Sequence, residues 1–270
     1  MLQPMLSSYV KRDIEEHQQN NEGSDTVEYR GSSVYENDEF LQNYLKRRMR
    51  KESPNEMIEK PAFLNLLGDM SNKDVLELGC GAATLAKELA PLLGSYTGID
   101  GSQKMLELAL KNLAGIPNVK LTHASLETYD FKKETYDCIF SQLTLHYLED
   151  FKQICENIYN SLRTGGEFVF SVQHPVLTSA FISGGGKREN WVVDDYFLIG
   201  ERVEPWIDEK VVKVHRTIEQ YFKILQDCQF NIMNLSEATP IQSSFSSEKE
   251  WKRRQRIPLF LLFACEKSRK

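Results

Sequence analysis

The chain has 270 residues, 41% of them hydrophobic and 27% charged, which is ordinary globular composition and excludes wholesale disorder. With 33 basic against 39 acidic residues the net charge is −6, which argues against a protein that grips duplex nucleic acid on a basic face. The length suits one large α/β domain, or one domain with a modest cap.

Residues 1–35 are polar and aperiodic, and HQQNNEGSD (17–25) reads as a loop or mobile arm, with order expected from about Val34. The opening residues lack a basic stretch followed by an apolar one, so no secretory signal is expected. From Phe40 the spacing is helical, with Leu41, Leu45 and Met49 on one stripe. The basic cluster Lys46, Arg47, Arg48, Arg50 and Lys51 on that helix reads as a solvated face. Ser53-Pro54-Asn55-Glu56 has the form of a capping box with proline in the first helical position. Pro61 then kinks that helix or opens a second one that ends near Gly68.

After Asn72 strands and helices alternate. Strands are expected over 74–78, 96–100, 119–124, 136–141 and 167–172, with helices over 82–93, 102–114 and 151–162 between them. Such spacing implies parallel pairing through right-handed crossovers. The alternation breaks after His174, so 175–215, with Gly184-Gly185-Gly186 and bulky aromatics, reads as an irregular insertion over the sheet's carboxyl edge. A helix over 217–228, capped by Thr217 and Gln220, and strands over 231–235 and 258–266 complete the chain. The apolar run 259–265 is far shorter than the roughly 20 residues that cross a bilayer. The division expected is a 1–70 arm and helical lid before a 71–270 domain. The five scattered cysteines point to reduced thiols and a cytoplasmic setting.

The segment VLELGCGAATLAKEL (75–89) decides the function class. A buried strand runs into Gly79-Cys80-Gly81, whose glycines allow a tight turn and close approach to a ligand, and then into a helix whose amino end offers free N–H groups. Asp100, 21 residues after Gly79, ends the next strand, where a carboxylate takes both hydroxyls of a ribose. The position of a third dinucleotide-loop glycine holds Thr84. Glu77 would repel a pyrophosphate but suits a ligand carrying an ammonium and a sulfonium.

The segments VLELGCG, YTGIDGS, SQLTLHYLED and LRTGGEFVFSVQHP resemble class I S-adenosylmethionine-dependent methyltransferases over about residues 73–175, nearest in flavour to the small-molecule, ubiquinone/menaquinone-type group. SPNEMIEKP, HPVLTS and HRTIEQY are similar to a subset acting on antibiotic-type metabolites, such as lincosamide N-methyltransferases. The resemblance implies a doubly wound α/β fold with a seven-stranded, mostly parallel sheet of order 3-2-1-4-5-7-6, and S-adenosylmethionine as cofactor. It places the methionine part on Glu77, Gly79, Cys80 and Gly81, and the adenosine beside Asp100, Gly101, Ser102 and Met105. Ser125 and Leu126 would flank the adenine, although His123-Ala124-Ser125 stands where the family usually has an acid. Ser141 and Gln142 would line the sulfonium and the methyl path.

Methyl transfer is an in-line displacement, so alignment and exclusion of water matter most, and a base helps where the acceptor must lose a proton. His146 and His174 follow strands four and five, where parallel strands deliver residues to the crevice; each is a candidate base or a structural hydrogen-bonding group. His123 reads as a satisfied sheet histidine and His215 as structural. Tyr35 and Tyr44 in the lid place rings near the sulfonium, or Tyr44 packs on the core. Trp191, Tyr196 and Trp206 wall an acceptor pocket or form the cap's own core. No metal is expected: the acidic pair Asp194-Asp195 in the insertion has no second cluster that clearly supplies converging oxygen ligands.

The expected function is methyl transfer to a nitrogen or oxygen of a small molecule, with no nucleic-acid or membrane partner and homo-oligomerisation left open. The alternatives are a tRNA or protein methyltransferase and a non-catalytic S-adenosylmethionine-binding protein.

Overall fold

A computed structural model describes residues 28–50, 52–179, 191 and 193–268; the 17–25 arm and the glycine triplet 184–186 lie outside them. The lid begins with a short strand, β1 (Glu28–Arg30), and a tight helical turn, Gly31–Glu36. Helix α1 (Asp38–Arg48) starts at Asn37, whose side chain accepts the Phe40 amide at 3.1 Å. Phe40 and Leu41 are buried, but Met49 is 77% exposed: the helix has already ended, so the expected stripe loses its last member.

The segment after α1 departs from the capping-box expectation. The Ser53 backbone carbonyl, not its hydroxyl, takes the amides of Glu56 and Met57 at 3.0 and 2.9 Å. The Glu56 carboxylate is drawn instead to Arg48, at 3.2 Å, and Lys60. Asn55–Glu59 forms one wide turn, in which the Lys60 amide reaches back five residues to the Asn55 carbonyl. Helix α2 (Lys60–Leu67) follows with Pro61 in its first turn, where a missing N–H costs nothing, and stops at Gly68.

The alternating part holds β2 (Asp74–Leu78), α3 (Ala86–Leu89), β3 (Ser95–Asp100), α4 (Gln103–Asn112), β4 (Val119–His123), β5 (Tyr136–Gln142), α5 (Phe151–Ser161) and β6 (Leu162–Gln173). The first crossover helix is much shorter than expected. Ala83 sits at φ +54, outside helical space, and Pro91 cannot carry the ladder onward, so only α3 and a tight turn, Ala90–Leu92, form. The insertion is not irregular throughout. After α6 (Pro175–Thr178) it forms an antiparallel hairpin, β7 (Gly200–Trp206) and β8 (Glu209–His215), and β8 pairs in parallel with β1. The chain closes with α7 (Ile218–Asp227), β9 (Phe230–Ser236), α8 (Glu248–Arg254) and β10 (Phe260–Lys267). At α7 the Thr217–Gln220 capping box forms on both sides.

The large sheet has the order β4-β3-β2-β5-β6-β10-β9, parallel through β6, with β10 antiparallel to both of its neighbours. Counted within this sheet alone, that is 3-2-1-4-5-7-6, the expected doubly wound order. The chain steps outward from β2 to β4 and returns to β5 on the other side of β2, which opens a crevice above the carboxyl ends of β2 and β5. Strand alternation sends Leu76, Leu78, Ile139, Phe168 and Phe170 to one buried core under α5 and α7, and Val75, Cys138, Phe140 and Val169 to another under α2. A third, smaller core joins lid and hairpin through Val34, Phe40, Ile207 and Val211, ringed by Tyr35, Tyr44, Tyr147 and Trp206.

Candidate active site

Above the carboxyl ends of the parallel strands lies a cavity of about 1240 Å³, closed on its far side by the lid and the hairpin. Its floor is the β2–α3 loop. Gly79 has φ +70, and a Cβ there would lie 2.2 Å from the Thr144 hydroxyl, so only glycine lets the loop pass beneath the β5 exit. The loop amides are largely used within the protein: Cys80 donates to the Ile99 carbonyl, Ala83 to that of Cys80, and Gly81 to the Asp100 carboxylate at 2.8 Å. Asp100 is 7% exposed and also accepts the Ser102 amide at 2.8 Å. Burial raises its pKa, and these two donors work in the opposite direction. The carboxylate is thus held rigidly at the cavity wall.

The cavity brings together Tyr35, Tyr44, Gly79, Gly81, Asp100, Gly101, Met105, Ser125, Leu126, Gln142 and His146 of the residues expected from the sequence. Five others stand behind the wall. Glu77 is 3% exposed and accepts the Tyr96 hydroxyl at 2.6 Å; burial pushes its pKa up to about 8. It shares its strand face with Val75, toward the packed interior, and stands beneath the loop, outside the residues that line the cavity. Cys80 is buried there too, with its thiol pKa raised by burial. The Ser141 hydroxyl donates to the Leu78 carbonyl at 2.8 Å and ties β5 to β2. Ser102 caps α4 and donates to Glu36 of the lid at 2.6 Å. His174 caps α6 through Nδ1, with Nε2 on Glu237 at 3.0 Å, and does not reach the cavity.

The two post-strand histidines therefore part company. His146 lies in the cavity wall, 3% exposed, stacked at 4.4 Å on Tyr147. Its Nδ1 is buried and has no hydrogen-bond partner among the described residues. Burial, with the nearby charges of Lys213 and Arg216, drives its pKa well below the usual histidine value, so the ring is neutral at neutral pH. His215 is fully buried between Thr178 and the Tyr196 carbonyl, a structural position. His123 borders the cavity and bonds the Gly101 carbonyl at 3.0 Å.

Lid and hairpin supply an aromatic wall. Tyr35, Phe40, Tyr44 and Trp206 meet edge to face or stacked at 5.1 to 6.4 Å. Trp206 thus belongs both to the cap's own core and to the cavity wall. Lys213 of β8 is 5% exposed, pairs with Glu204 and Gln173, and lies 5.3 Å from the Trp206 ring centre. The lid also approaches the sheet closely at Gly101, where a Cβ would meet the Ser32 hydroxyl at 2.3 Å, so the glycine permits that contact.

Sequence reasoning missed several wall residues. Glu59 is 2% exposed, accepts Ser171 at 2.6 Å and Gln142 at 3.0 and 3.2 Å, and faces the cavity. Its sequence signal is weak: it is one of two carboxylates in the mixed segment Asn55-Glu56-Met57-Ile58-Glu59-Lys60. Arg47, Arg48 and Arg50, expected as a solvated face, line the cavity with Arg254 of α8. Among the described residues no cluster of three or more histidine, cysteine or acidic side chains is placed to hold a metal, and no helix is long and apolar enough to cross a membrane.

Residues 75–166 match the family model of a methyltransferase domain. The chain is 30% identical to a Listeria monocytogenes protein of known structure, classed as an S-adenosylmethionine-dependent methyltransferase. That match covers 78% of this chain and 97% of the other, with a TM-score of 0.71. An uncharacterized Haemophilus influenzae protein is 31% identical over 222 residues, 76% of this chain and 85% of its own. A Bacillus anthracis malonyl-[acyl-carrier protein] O-methyltransferase is 33% identical over 99 residues, about a third of either chain (36% of each). A cavity floored by a glycine loop and walled by a rigid carboxylate, on this strand order, is the site of a nucleoside-dependent transferase. The chain belongs to the S-adenosylmethionine-dependent methyltransferases, and S-adenosylmethionine is its cofactor. The residues present fit that ligand: a buried carboxylate at the end of β3, glycines beneath it, apolar Met105 and Leu126 on the adenine side, and tyrosine rings above.

Proposed function

We propose that the protein methylates a nitrogen or oxygen of a small-molecule metabolite. The observation that carries this reading is the neutral His146 in the wall of an aromatic-lined cavity, its Nδ1 without a hydrogen-bond partner among the described residues. S-adenosylmethionine supplies, when bound, a methyl group already activated on a sulfonium. Asp100 takes the ribose hydroxyls, Gly79 and Gly81 let the backbone pass close beneath, and Ser125 and Leu126 border the adenine. Gln142 stands at the methyl path, and the Tyr35 and Tyr44 rings face the positive sulfur. His146 receives the proton that the acceptor loses. The lid and hairpin wall the site and align the acceptor, which is where most of the rate arises in an in-line displacement. The Bacillus anthracis relative, by its name, acts on an oxygen, and supports that half of the proposal.

The test is transfer of isotopically labelled methyl from the cofactor to a library of metabolites. A labelled small-molecule product is expected; label found only in tRNA or protein would overturn the acceptor class. Asp100→Ala is expected to abolish binding of S-adenosylhomocysteine in calorimetry, and unchanged affinity would remove the ribose assignment.

A further inference from the structure

We infer that Glu59, in the wide turn before α2, receives the ammonium group at the amino-acid end of the cofactor. The inference rests on the cofactor assignment and adds a binding residue that the family resemblance had placed elsewhere, at Glu77. Glu77 stands behind the β2 loop, where one of its oxygens takes the Tyr96 hydroxyl, and does not line the cavity. Glu59 is the buried carboxyl that does reach it on the β5 side.

Its position along the sheet edge fits one end of the ligand. Asp100 closes β3, and the adenine side lies beyond it, toward β4 and Ser125. The opposite end of the same nucleoside must therefore run over the β2 loop toward β5. There Gln142 ends β5, Ser171 lies beside it on β6, and both donate to Glu59. The two donors are neutral, so the carboxylate is oriented by dipoles but not neutralised by a cation among them. An incoming ammonium meets the missing need.

The charged groups facing Glu59 define the rest of the recognition. Arg48 comes from α1, Glu56 from the same wide turn, and Glu77 from β2. Arg48 also lines the cavity. An acid and a guanidinium on one wall match the two ends of an amino-acid zwitterion, which a simple amine acceptor would not need. The wide turn makes this possible. An i→i+5 turn rotates the following residues relative to a regular helix, and such turns recur at functional sites. Burial pushes the Glu59 pKa up to about 7, against the Ser171 and Gln142 hydrogen bonds and the Arg48 charge, which act to lower it. Cofactor binding below that pH then displaces a proton.

The test is calorimetry of the full chain with two probes. S-adenosylhomocysteine carries the amino-acid end, and 5′-methylthioadenosine lacks it. Glu59→Gln is expected to weaken S-adenosylhomocysteine roughly 10- to 100-fold, the range for one hydrogen bond to a charged group, and to leave methylthioadenosine within about twofold. Retained methylthioadenosine binding also shows that the variant is folded. Unchanged S-adenosylhomocysteine affinity, or equal loss with both probes, would overturn the inference. Should the variant not fold, the wild-type protein decides alone: the affinity ratio of the two probes is expected to rise with pH through about 7, and a flat ratio would contradict it. Failure of the cofactor assignment reads differently, since wild type would then bind neither probe.

Discussion

His146 and Glu77 show how one physical term, burial, produces two different kinds of residue. At His146 it removes the charge and leaves a neutral ring in the cavity wall. His146→Ala is expected to lower kcat by about 100-fold or more, in the usual range for a positioned proton acceptor, with S-adenosylhomocysteine affinity retained. Steady-state kinetics and calorimetry check the two parts, and an unchanged kcat would return His146 to a structural role. At Glu77, and at Glu59, burial holds a proton on the folded protein. Their folded pKa values, about 8 and about 7, lie above the unfolded value of 4.5. Between pH 4.5 and 8 the folded state therefore binds protons that the unfolded chain has released, and stability is lost as the pH rises through that window. Thermal denaturation is expected at lower temperature at pH 8.5 than at pH 6, with a shallower slope in Glu77→Gln; parallel slopes would contradict it.

Elements, more than single residues, set what the cavity accepts. The lid and the hairpin meet in the small core of Val34, Phe40, Ile207 and Val211, and β1 zips onto β8 over three residue pairs. Phe40→Ala is expected to cost about 3–5 kcal/mol in chemical denaturation if lid and sheet unfold together, the usual range for a buried Phe→Ala change. A value near zero would mean that the lid opens independently. Trp206→Ala keeps the nucleoside floor and removes part of the opposite wall. It is expected to raise the acceptor KM while S-adenosylhomocysteine affinity stays within about twofold, and a large loss of cofactor affinity would place Trp206 on the nucleoside side instead.

These elements were also the least legible in the sequence. β2 and β3 run into Gly79 and Asp100, and β5 carries the apolar Cys138-Ile139-Phe140, so these strands and the Gly79–Asp100 spacing could be read directly. The hairpin could not: β7 alternates exposed and half-buried residues against a small lid, a weaker signal than a central strand, and β8 pairs with β1 across the chain, Glu28 with Lys210. The arginines of α1 look like any solvated helical face until the fold turns α1 over the cavity. Whether a carboxylate after β2 faces the ligand or the interior depends on which neighbour claims it, and Tyr96 is 19 residues from Glu77.

At the scale of the molecule, the strand order makes the site. Reversal of the winding at β2 leaves a gap between two crossovers that no core side chain fills, and the lid and hairpin roof that gap. The five cysteines, all buried and unbridged, belong to the packed interior and take no part in this surface. The chain is acidic overall, yet Arg30, Arg47, Arg48, Arg50 and Arg254 line the cavity, Arg48 paired with Glu56 and Arg254 with Glu250. The most direct test of the account is a crystal structure with S-adenosylhomocysteine bound. The account predicts the ribose hydroxyls within hydrogen-bonding distance of Asp100 and the homocysteine end directed toward Glu59, with the sulfur facing the His146 side of the cavity. A nucleoside bound elsewhere, or lying in the cavity with its ribose turned away from Asp100, would contradict it.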